Sequence, residues 1–315
     1  MLQKINSLKN ILIVRNDRFG EFLLIIPALR AIKESYPGSM ITAVIDPRIK
    51  DLARCVEFID DLIFWPNTGH TPAQKLRLFR ALRKSKFDAA IIFNPSKEFN
   101  FFAFFSGIPV RVGYDRKAGA LLTHKIKDLK HFGFKHEIDY NLELVSLIGA
   151  VTNNRDLSLN LKGCITQDAA DIVIHPWTSD PVKQWPIENF VELAKRISKE
   201  LSRKVTIIGG PEESENGNQY FNGLSQNILN LTGKTSLNEL ACLLSKAKLL
   251  ISADSGPVHL AGCVGLPVIA LFRSDMPGKG PKRWGPTGKS SLVITKARME
   301  AISVDEVFKK AYDQG

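Results

Sequence analysis

Features that would assign a protein to a class at once are scarce in this sequence. The 315 residues include four cysteines, which lie far apart, form no CxxC pair and sit mostly among apolar neighbours. This pattern argues against a zinc site and against a disulfide framework. We therefore expect Cys55, Cys164, Cys242 and Cys263 to be reduced, structural thiols.

Long apolar runs are missing as well. No run approaches the roughly 20 residues that a membrane-spanning helix needs, and residues 1–10 lack the apolar core and cleavage site of a signal peptide. With 44% hydrophobic and 24% charged residues, the composition is that of an ordinary soluble protein. We expect a cytoplasmic protein of two domains, since one domain takes about 150 residues.

The common phosphate-binding glycine motifs are incomplete. The pair that begins at Gly209 does not continue as GxGxxG, which weakens a nicotinamide or flavin function. The Gly-Lys-Thr and Gly-Lys-Ser stretches at Gly233 and Gly288 resemble the end of a P-loop, but Ile228 and Arg283 replace its leading glycine. His131 and His136 are not at a metal-ligand helical spacing, which gives no support to a catalytic metal. We expect neither a metal ion nor a cofactor.

Positive charge is in excess and is unevenly distributed. The formal net charge is +11, and residues 1–165 hold 25 Lys and Arg against 16 Asp and Glu, whereas residues 166–315 hold 18 against 16. Such an asymmetry indicates a polyanionic partner, which is nucleic acid, a phosphorylated ligand or an anionic membrane surface. A basic surface without a specific partner is the alternative.

Short apolar stretches alternate with amphipathic ones along the whole chain. The pattern predicts strands at residues 10–14, 40–45, 61–65, 89–93 and 110–113 and, after a polar connector at 152–167, at 171–175, 204–209, 228–231, 248–252 and 267–272. Helices are predicted at 21–36, 72–86, 96–105, 136–148, 187–201, 237–247 and 256–264. Two such series predict an α/β protein with two doubly wound parallel-sheet domains, residues 1–165 and 166–315.

The most informative stretch is LLISADSGPVHLAGCVGLPVIALF, near the C-terminus. Its apolar strand ends at Asp254, and Ser255 and Gly256 can open a helix. The free N–H groups and the dipole at a helix N-terminus suit a phosphate or a pyrophosphate. Residues of this kind also cap many helices that bind nothing, so this alternative stays open.

Charged residues also follow the first predicted strand, where Arg15, Asp17, Arg18 and Glu21 surround Gly20. A carboxylate in a first helical turn near arginines is ionised at neutral pH and can accept a proton from an alcohol. Alternatively, Glu21 only stabilises the helix start, while Asp17 pairs with one of the arginines.

Two further loops carry polar residues at predicted strand ends. In HPWTSDPVKQWP, the hydroxyls of Thr178 and Ser179 suit a phosphate ester, and Lys183 can counter charge on a departing diphosphate. In IIGGPEESE, Glu212 or Glu213 can bind the hydroxyls of a ribose. The alternatives are an exposed loop with incidental polar residues and a glutamate that stabilises a helix dipole.

In their order and spacing these stretches resemble glycosyltransferase family 9, the ADP-heptose:lipopolysaccharide heptosyltransferases. The resemblance extends over most of the chain and includes RVGYDRKAGALLTH, HEIDYNLELVSLIG, LTGKTSLNELACLLSKAK and the Trp-Gly-Pro at 284–286. It implies the GT-B fold, two facing Rossmann-like domains with an inter-domain cleft. Residues 1–165 would bind the acceptor, and residues 166–315 the nucleotide sugar.

The resemblance also implies the donor site. Its expected residues are Thr178, Ser179 and Lys183 at the diphosphate, Glu213 at the ribose with Glu212 one register away, and Asp254, Ser255, Gly256 and His259 at the phosphates and sugar. The implied donor is ADP-L-glycero-D-manno-heptose, used in an inverting, metal-independent transfer. Lys183 and the helix N-terminus would stabilise the leaving ADP.

For the general base, Glu21 stands where family members usually carry an aspartate proposed for this role. Glutamate reaches about one bond further, and a displacement of about 1 Å can cost about 100-fold in rate. Either the acceptor sits differently, or Asp17 has a larger role.

The implied acceptor is an anionic lipopolysaccharide inner-core glycolipid. Such an acceptor would explain the excess of positive charge in the N-terminal half. We expect contacts from Arg15, Arg18, Arg111, Arg116 and Lys117, a peripheral contact with the inner face of the cytoplasmic membrane, and no nucleic-acid partner. The aromatic run at 99–105 touches lipid or packs as a core helix, and we favour the core helix. Two alternatives stay open: a GT-B enzyme that uses another nucleotide sugar for a cell-surface glycan, and a non-catalytic nucleotide-sugar-binding protein.

Overall fold

The computed structural model describes Ile5, residues 7–161, Cys164 and residues 170–314. The chain divides into two compact units. The first is the chain up to Asn160 without Phe132–Phe134, and the second is Phe132–Phe134 together with Leu161–Gly315. The predicted boundary between residues 165 and 166 lies outside the described residues.

The first unit contains a parallel sheet with helices on its faces. Its described strands are β1 (Asn10–Val14), β2 (Met40–Ile45), β3 (Asp61–Phe64), β4 (Ala89–Ile92), β5 (Val110–Tyr114) and β6 (His124–Ile126). Its described helices are α1 (Phe19–Leu23), α2 (Ile26–Ser35), α3 (Lys50–Ala53), α4 (Pro72–Ser85), α5 (Lys97–Phe105) and α6 (Glu137–Ser146). The strand order is β3-β2-β1-β4-β5-β6, which is the Rossmann order, with its switch point at β1 and β4.

The second unit repeats this topology. Its described strands are β7 (Ile172–His175), β8 (Val205–Ile207), β9 (Ile228–Asn230), β10 (Leu249–Ala253), β11 (Val268–Arg273) and β12 (Leu292–Lys296). Its described helices are α7 (Ile187–Glu200), α8 (Ser214–Phe221), α9 (Leu237–Lys246), α10 (Gly256–Cys263), α11 (Pro281–Trp284) and α12 (Val304–Gln314). The order β12-β11-β10-β7-β8-β9 puts the switch point at β7 and β10.

Strand register decides which loops meet at each switch point. Val14 pairs with Val44 and with Ile92, so β1, β2 and β4 end at the same level. In the second unit, Ser252 pairs with His175, so β7 and β10 also end together. The residues that follow these strands therefore share one edge of each sheet.

The helices α4 and α5 lie on the same face of the first sheet. Leu78 and Leu82 of α4 and Phe99 of α5 belong to one buried cluster with Leu12 and Val14 of β1. Because both helices bury one side against this face, their opposite sides both point away from the sheet.

The sequence prediction located every strand that it named, but among the described elements it missed two strands and four helices. The missed elements are β6, β12, α3, α8, α11 and α12. The helix predicted at 21–36 is two helices, which are separated at Leu24 and Ile25. Pro27 explains the break, because it lacks the N–H that a continuous helix would need at that position.

The expectation that all four cysteines are reduced thiols is wrong for one pair. Cys164 and Cys242 form a disulfide across a sequence separation of 78 residues, while Cys55 and Cys263 are free. The spacing of the cysteines does not predict this disulfide, because the fold brings Cys164 next to Cys242 of α9 from a distant part of the chain. No described helix combines the length and apolar character needed to cross a membrane.

Candidate active site

A buried arginine organises the loop that follows β1. Arg15 is 2% exposed, and its Nε lies 3.0 Å from Asp17 Oδ1. Its Nη2 lies 2.9 Å from Glu21 Oε2 and 3.8 Å from Glu137 Oε1. One guanidinium therefore joins the two predicted catalytic carboxylates to a third acid that the sequence did not single out.

The two predicted carboxylates differ in acidity. Burial raises the pKa of Asp17 to about 8, and the neighbouring Glu21 adds to this shift. Burial alone would raise the pKa of Glu21, but Arg15 and a hydrogen bond with Asp17 outweigh burial and lower this pKa to about 2. Because these groups interact directly, both values describe the pair and not either residue alone.

A second ion pair supports Arg15 from inside the unit. Lys130 Nζ lies 2.6 Å from Glu137 Oε1, and Glu137, the first residue of α6, is 1% exposed. Lys130 Nζ also lies 4.3 Å from the centre of the Tyr114 ring. Neither Glu137 nor Lys130 was among the site residues predicted from the sequence.

The predicted acceptor residues fall into two groups. Three of them are engaged by other groups of the protein. Arg15 forms ion pairs with the carboxylates named above, and Arg116 lies 2.7 Å from Asp128. Arg111 donates to the carbonyls of residues 108, 109 and 121. By contrast, Arg18 and Lys117 are exposed, and in the described part of the chain no ion pair engages them. Among the predicted acceptor residues, these two cations are therefore the ones that no ion pair engages.

In the second unit, the switch point brings together a lysine and an aspartate from separate loops. Lys183, in a short turn after β7, forms an ion pair with Asp254 Oδ2, which follows β10. Thr178 Oγ1 donates to the backbone carbonyl of Asp254 at 3.4 Å, and Ser179 is exposed. The predicted diphosphate loop and the predicted Asp-Ser-Gly element therefore meet in the structure.

A buried hydroxyl network holds the Asp-Ser-Gly element in place. Ser255 Oγ lies 3.1 Å from His175 Nδ1 and 2.9 Å from Ser252 Oγ. Burial lowers the pKa of His175 to about 3, so its imidazole is neutral. The Ser255 side chain is thus engaged inside the unit, and the sequence analysis missed both of its partners.

The helix that follows begins as predicted. Gly256 is the first residue of α10, and Ser255 is its N-cap residue with extended backbone. Pro257, the second residue of α10, has no N–H, so the Gly256 amide is the first backbone N–H of the helix that can donate to a ligand. His259 is 4% exposed, and its ring centre lies 6.2 Å from that of Trp284.

Two glycines shape the turn after β8. A Cβ at Gly209 would lie 2.4 Å from Trp177 Nε1, so only glycine fits there. A Cβ at Gly210 would lie 2.8 Å from a carboxylate oxygen of Glu213 and 2.9 Å from one of Glu212. Both predicted ribose ligands therefore lie beside Gly210, and their positions leave the choice of register open.

Within the described residues, no three His, Cys, Asp or Glu side chains are grouped as metal ligands would be. The absence of a metal requirement stays a prediction.

Comparison with known sequences identifies the family. The sequence pattern of glycosyltransferase family 9 (heptosyltransferase) matches residues 75–311. The chain belongs to this family. It is a glycosyltransferase, and the family predicted from the sequence is confirmed.

Relatives and solved structures support this assignment. Lipopolysaccharide heptosyltransferase 2 of Escherichia coli K12 is 22% identical over 296 residues, which cover 86% of this chain and 84% of that protein. The structure of E. coli ADP-heptose LPS heptosyltransferase II has a TM-score of 0.84 at 20% identity, over 97% of this chain and 98% of that one. E. coli heptosyltransferase WaaC with ADP-2-deoxy-2-fluoro heptose has a TM-score of 0.79 at 19% identity, over 97% of this chain and 100% of that one. The similarity confirms the predicted α/β GT-B fold.

Proposed function

We propose that this family 9 glycosyltransferase transfers heptose from ADP-L-glycero-D-manno-heptose to an anionic inner-core acceptor of lipopolysaccharide, with inversion and without a metal ion. The observation that carries the proposal is the ion pair of Lys183 with Asp254 beside the first turn of α10. A cation and a helix N-terminus at a switch point suit the diphosphate of a nucleotide sugar. The named E. coli relatives use or bind ADP-heptose or its analogue, which favours this donor.

The second unit supplies the donor contacts in this proposal. The Gly256 amide and Lys183 bind the diphosphate, with Thr178 and Ser179 in the adjoining loop, and Asp254 and His259 lie at the sugar. Glu213 or Glu212 binds the ribose. As the bond between the anomeric carbon and the phosphate oxygen breaks, Lys183 and the α10 dipole stabilise the negative charge that develops on ADP.

The first unit supplies the base. An acceptor hydroxyl oxygen attacks the anomeric carbon from the side opposite to ADP, and its proton passes to the pair of Asp17 and Glu21. Arg15 lowers the pKa of Glu21 and keeps it ionised, whereas burial raises the pKa of Asp17. A base is most effective when its pKa lies near the working pH. We therefore propose that Asp17 accepts the proton of the acceptor hydroxyl and that the negative charge of Glu21 helps to raise the pKa of Asp17.

Acceptor binding falls to the cations of the first unit that are available. Arg18 and Lys117 contact the acidic sugars or phosphates of the acceptor, while Arg111 and Arg116 shape the loops beside them. Arg15 holds the carboxylates. The protein also makes a peripheral contact with the membrane that contains its glycolipid acceptor.

Calorimetry tests the donor assignment. The wild-type protein should bind ADP and ADP-heptose more tightly than UDP-sugars and GDP-sugars. Lys183→Gln should weaken ADP binding about tenfold or more, because a charge-assisted hydrogen bond contributes about 1.5–3 kcal/mol. Failure to bind ADP would contradict the proposal, and preference for a UDP-sugar or GDP-sugar would favour another donor.

A matched control lies in the same sheet. Lys248 Nζ lies 2.7 Å from Asp171 Oδ1 at the opposite ends of β7 and β10. Lys248→Gln removes the same charge from a more exposed ion pair and should leave ADP affinity within about twofold of wild type. Equal losses in both lysine variants would place the donor elsewhere.

A further inference from the structure

One helix of the first unit carries charge of a single sign. Residues 72–86, which include α4, contain six Lys and Arg and no Asp or Glu. Lys75 pairs with Glu98 of α5 at 2.8 Å. The other five cations are exposed, and no ion pair engages them in the part of the chain that the structure describes. Four of them belong to α4: Arg77, Arg80, Arg83 and Lys84.

These four cations face away from the sheet. The buried residues of α4 are Leu78 and Leu82, which point to the sheet from neighbouring turns. With 3.6 residues in a turn, the four cations lie on the opposite half of the helix. This part of α4 is therefore a basic outer surface.

The neighbouring helix exposes aromatic rings on the same side of the sheet. Phe101, Phe104 and Phe105 of α5 are 37%, 41% and 58% exposed, whereas Phe99 is 2% exposed. The preference for a core helix at 99–105 is thus wrong for three of its five phenylalanines. We call the four cations of α4 together with these three exposed rings the α4–α5 outer face.

Cations and rings are also interleaved on this surface. Lys97 Nζ lies 6.0 Å from the centre of the Phe101 ring, and the guanidinium carbon of Arg111 lies 5.3 Å from that of Phe104. Clustered exposed phenylalanines are costly in water and mark interaction sites. An anionic bilayer satisfies both features, because rings enter the interface while Lys and Arg meet lipid phosphates.

We propose that the α4–α5 outer face docks on the surface of a bilayer that contains anionic lipid. The proposal rests on the proposed function in that the acceptor is a membrane glycolipid, and it names the surface that brings the first unit to that membrane. Nucleic acid fits less well, because each of the three rings already has a face against a neighbouring side chain, which leaves less ring surface for stacking on bases. Phe101 and Phe105 stack on each other at 5.9 Å, and Arg111 covers Phe104.

Vesicle co-sedimentation of the full chain tests the proposal. The wild type should bind phosphatidylcholine vesicles that contain phosphatidylglycerol and should bind pure phosphatidylcholine vesicles far more weakly. The variant Arg77→Gln/Arg80→Gln/Arg83→Gln/Lys84→Gln should lower binding to the anionic vesicles about 100- to 1000-fold. Phe101→Ser/Phe105→Ser should lower binding several-fold, also at high salt, where charge attraction is screened.

A charge-matched control distinguishes a docking surface from net charge. The second unit has four exposed lysines on α7 and α12, namely Lys195, Lys199, Lys309 and Lys310. Changing all four to Gln removes the same charge and should lower vesicle binding less than about tenfold. Equal losses in both quadruple variants, or no vesicle binding by the wild type, would overturn the proposal. Tight binding to duplex DNA that the α4 variant abolishes, without vesicle binding, would overturn it in favour of nucleic acid.

A soluble acceptor separates docking from catalysis. A deacylated, water-soluble acceptor needs no membrane, so the α4 variant should transfer sugar to it at the wild-type rate while failing to bind vesicles. If the wild type binds anionic vesicles but transfers nothing, the proposed function fails and the docking surface stands.

Discussion

The pair of Asp17 and Glu21 makes a quantitative prediction about pH. Transfer should require the fully ionised pair, because only that form has an effective base. If the pair loses its last proton with a pKa of about 8, the ionised fraction is about one tenth at pH 7 and about nine tenths at pH 9. The value of kcat/KM should therefore rise about tenfold over this range and then level off.

Two substitutions test which carboxylate is responsible for this pH dependence. Asp17→Asn should lower kcat/KM about 10²- to 10⁴-fold, the usual contribution of a general base, and abolish the rise. Glu21→Gln removes a neighbouring negative charge, so the pKa of Asp17 should fall and the rise should move to lower pH. Initial rates of ADP release between pH 6 and pH 9.5 measure both effects. A flat wild-type profile, or a rise that persists in Asp17→Asn, would refute the reasoning.

Three further predictions concern the groups that support the sites. Ser255→Ala should reduce the free energy of unfolding by about 1 kcal/mol but change ADP affinity less than twofold in calorimetry, because the Ser255 hydroxyl contacts His175 and Ser252 inside the unit. A larger loss of affinity would place that hydroxyl at the ligand. Lys130→Met should cost about 3 kcal/mol or more in urea unfolding, because the buried carboxylate of Glu137 loses its nearest cation. Lys130→Met/Glu137→Leu should recover much of this cost, and no recovery would contradict the reasoning. Cys242→Ser should lower the free energy of unfolding by about 4 kcal/mol and remove any effect of dithiothreitol on Tm; a wild-type Tm that is indifferent to dithiothreitol would show that the disulfide does not form.

The fold could be predicted largely because its central strands are almost continuously apolar. Strands β1, β2 and β10 stand out as short buried runs, as expected for parallel strands covered on both faces. The polar strand β6, with the sequence His-Lys-Ile, carries no such signal. It forms because the edge of β5 offers it a partner, which no local pattern reveals.

The candidate sites were predictable only as separate loops. Local sequence placed Asp17 and Glu21 near each other, and it suggested Lys183 and Asp254 separately. The contact between Lys183 and Asp254 spans 71 residues, and that between Ser255 and His175 spans 80 residues. Both depend on β7 and β10 ending at the same level, which is a property of the sheet.

The most direct test of the account is the transfer reaction. The purified protein should be incubated with ADP-L-glycero-D-manno-heptose and with inner-core acceptors that lack one heptose each, and the products analysed by mass spectrometry. We predict that one acceptor gains a single heptose with inverted anomeric configuration, that ADP is released, and that Lys183→Gln slows the reaction strongly. Unchanged acceptors with intact ADP-heptose, or transfer from a UDP-sugar or GDP-sugar instead, would contradict the account.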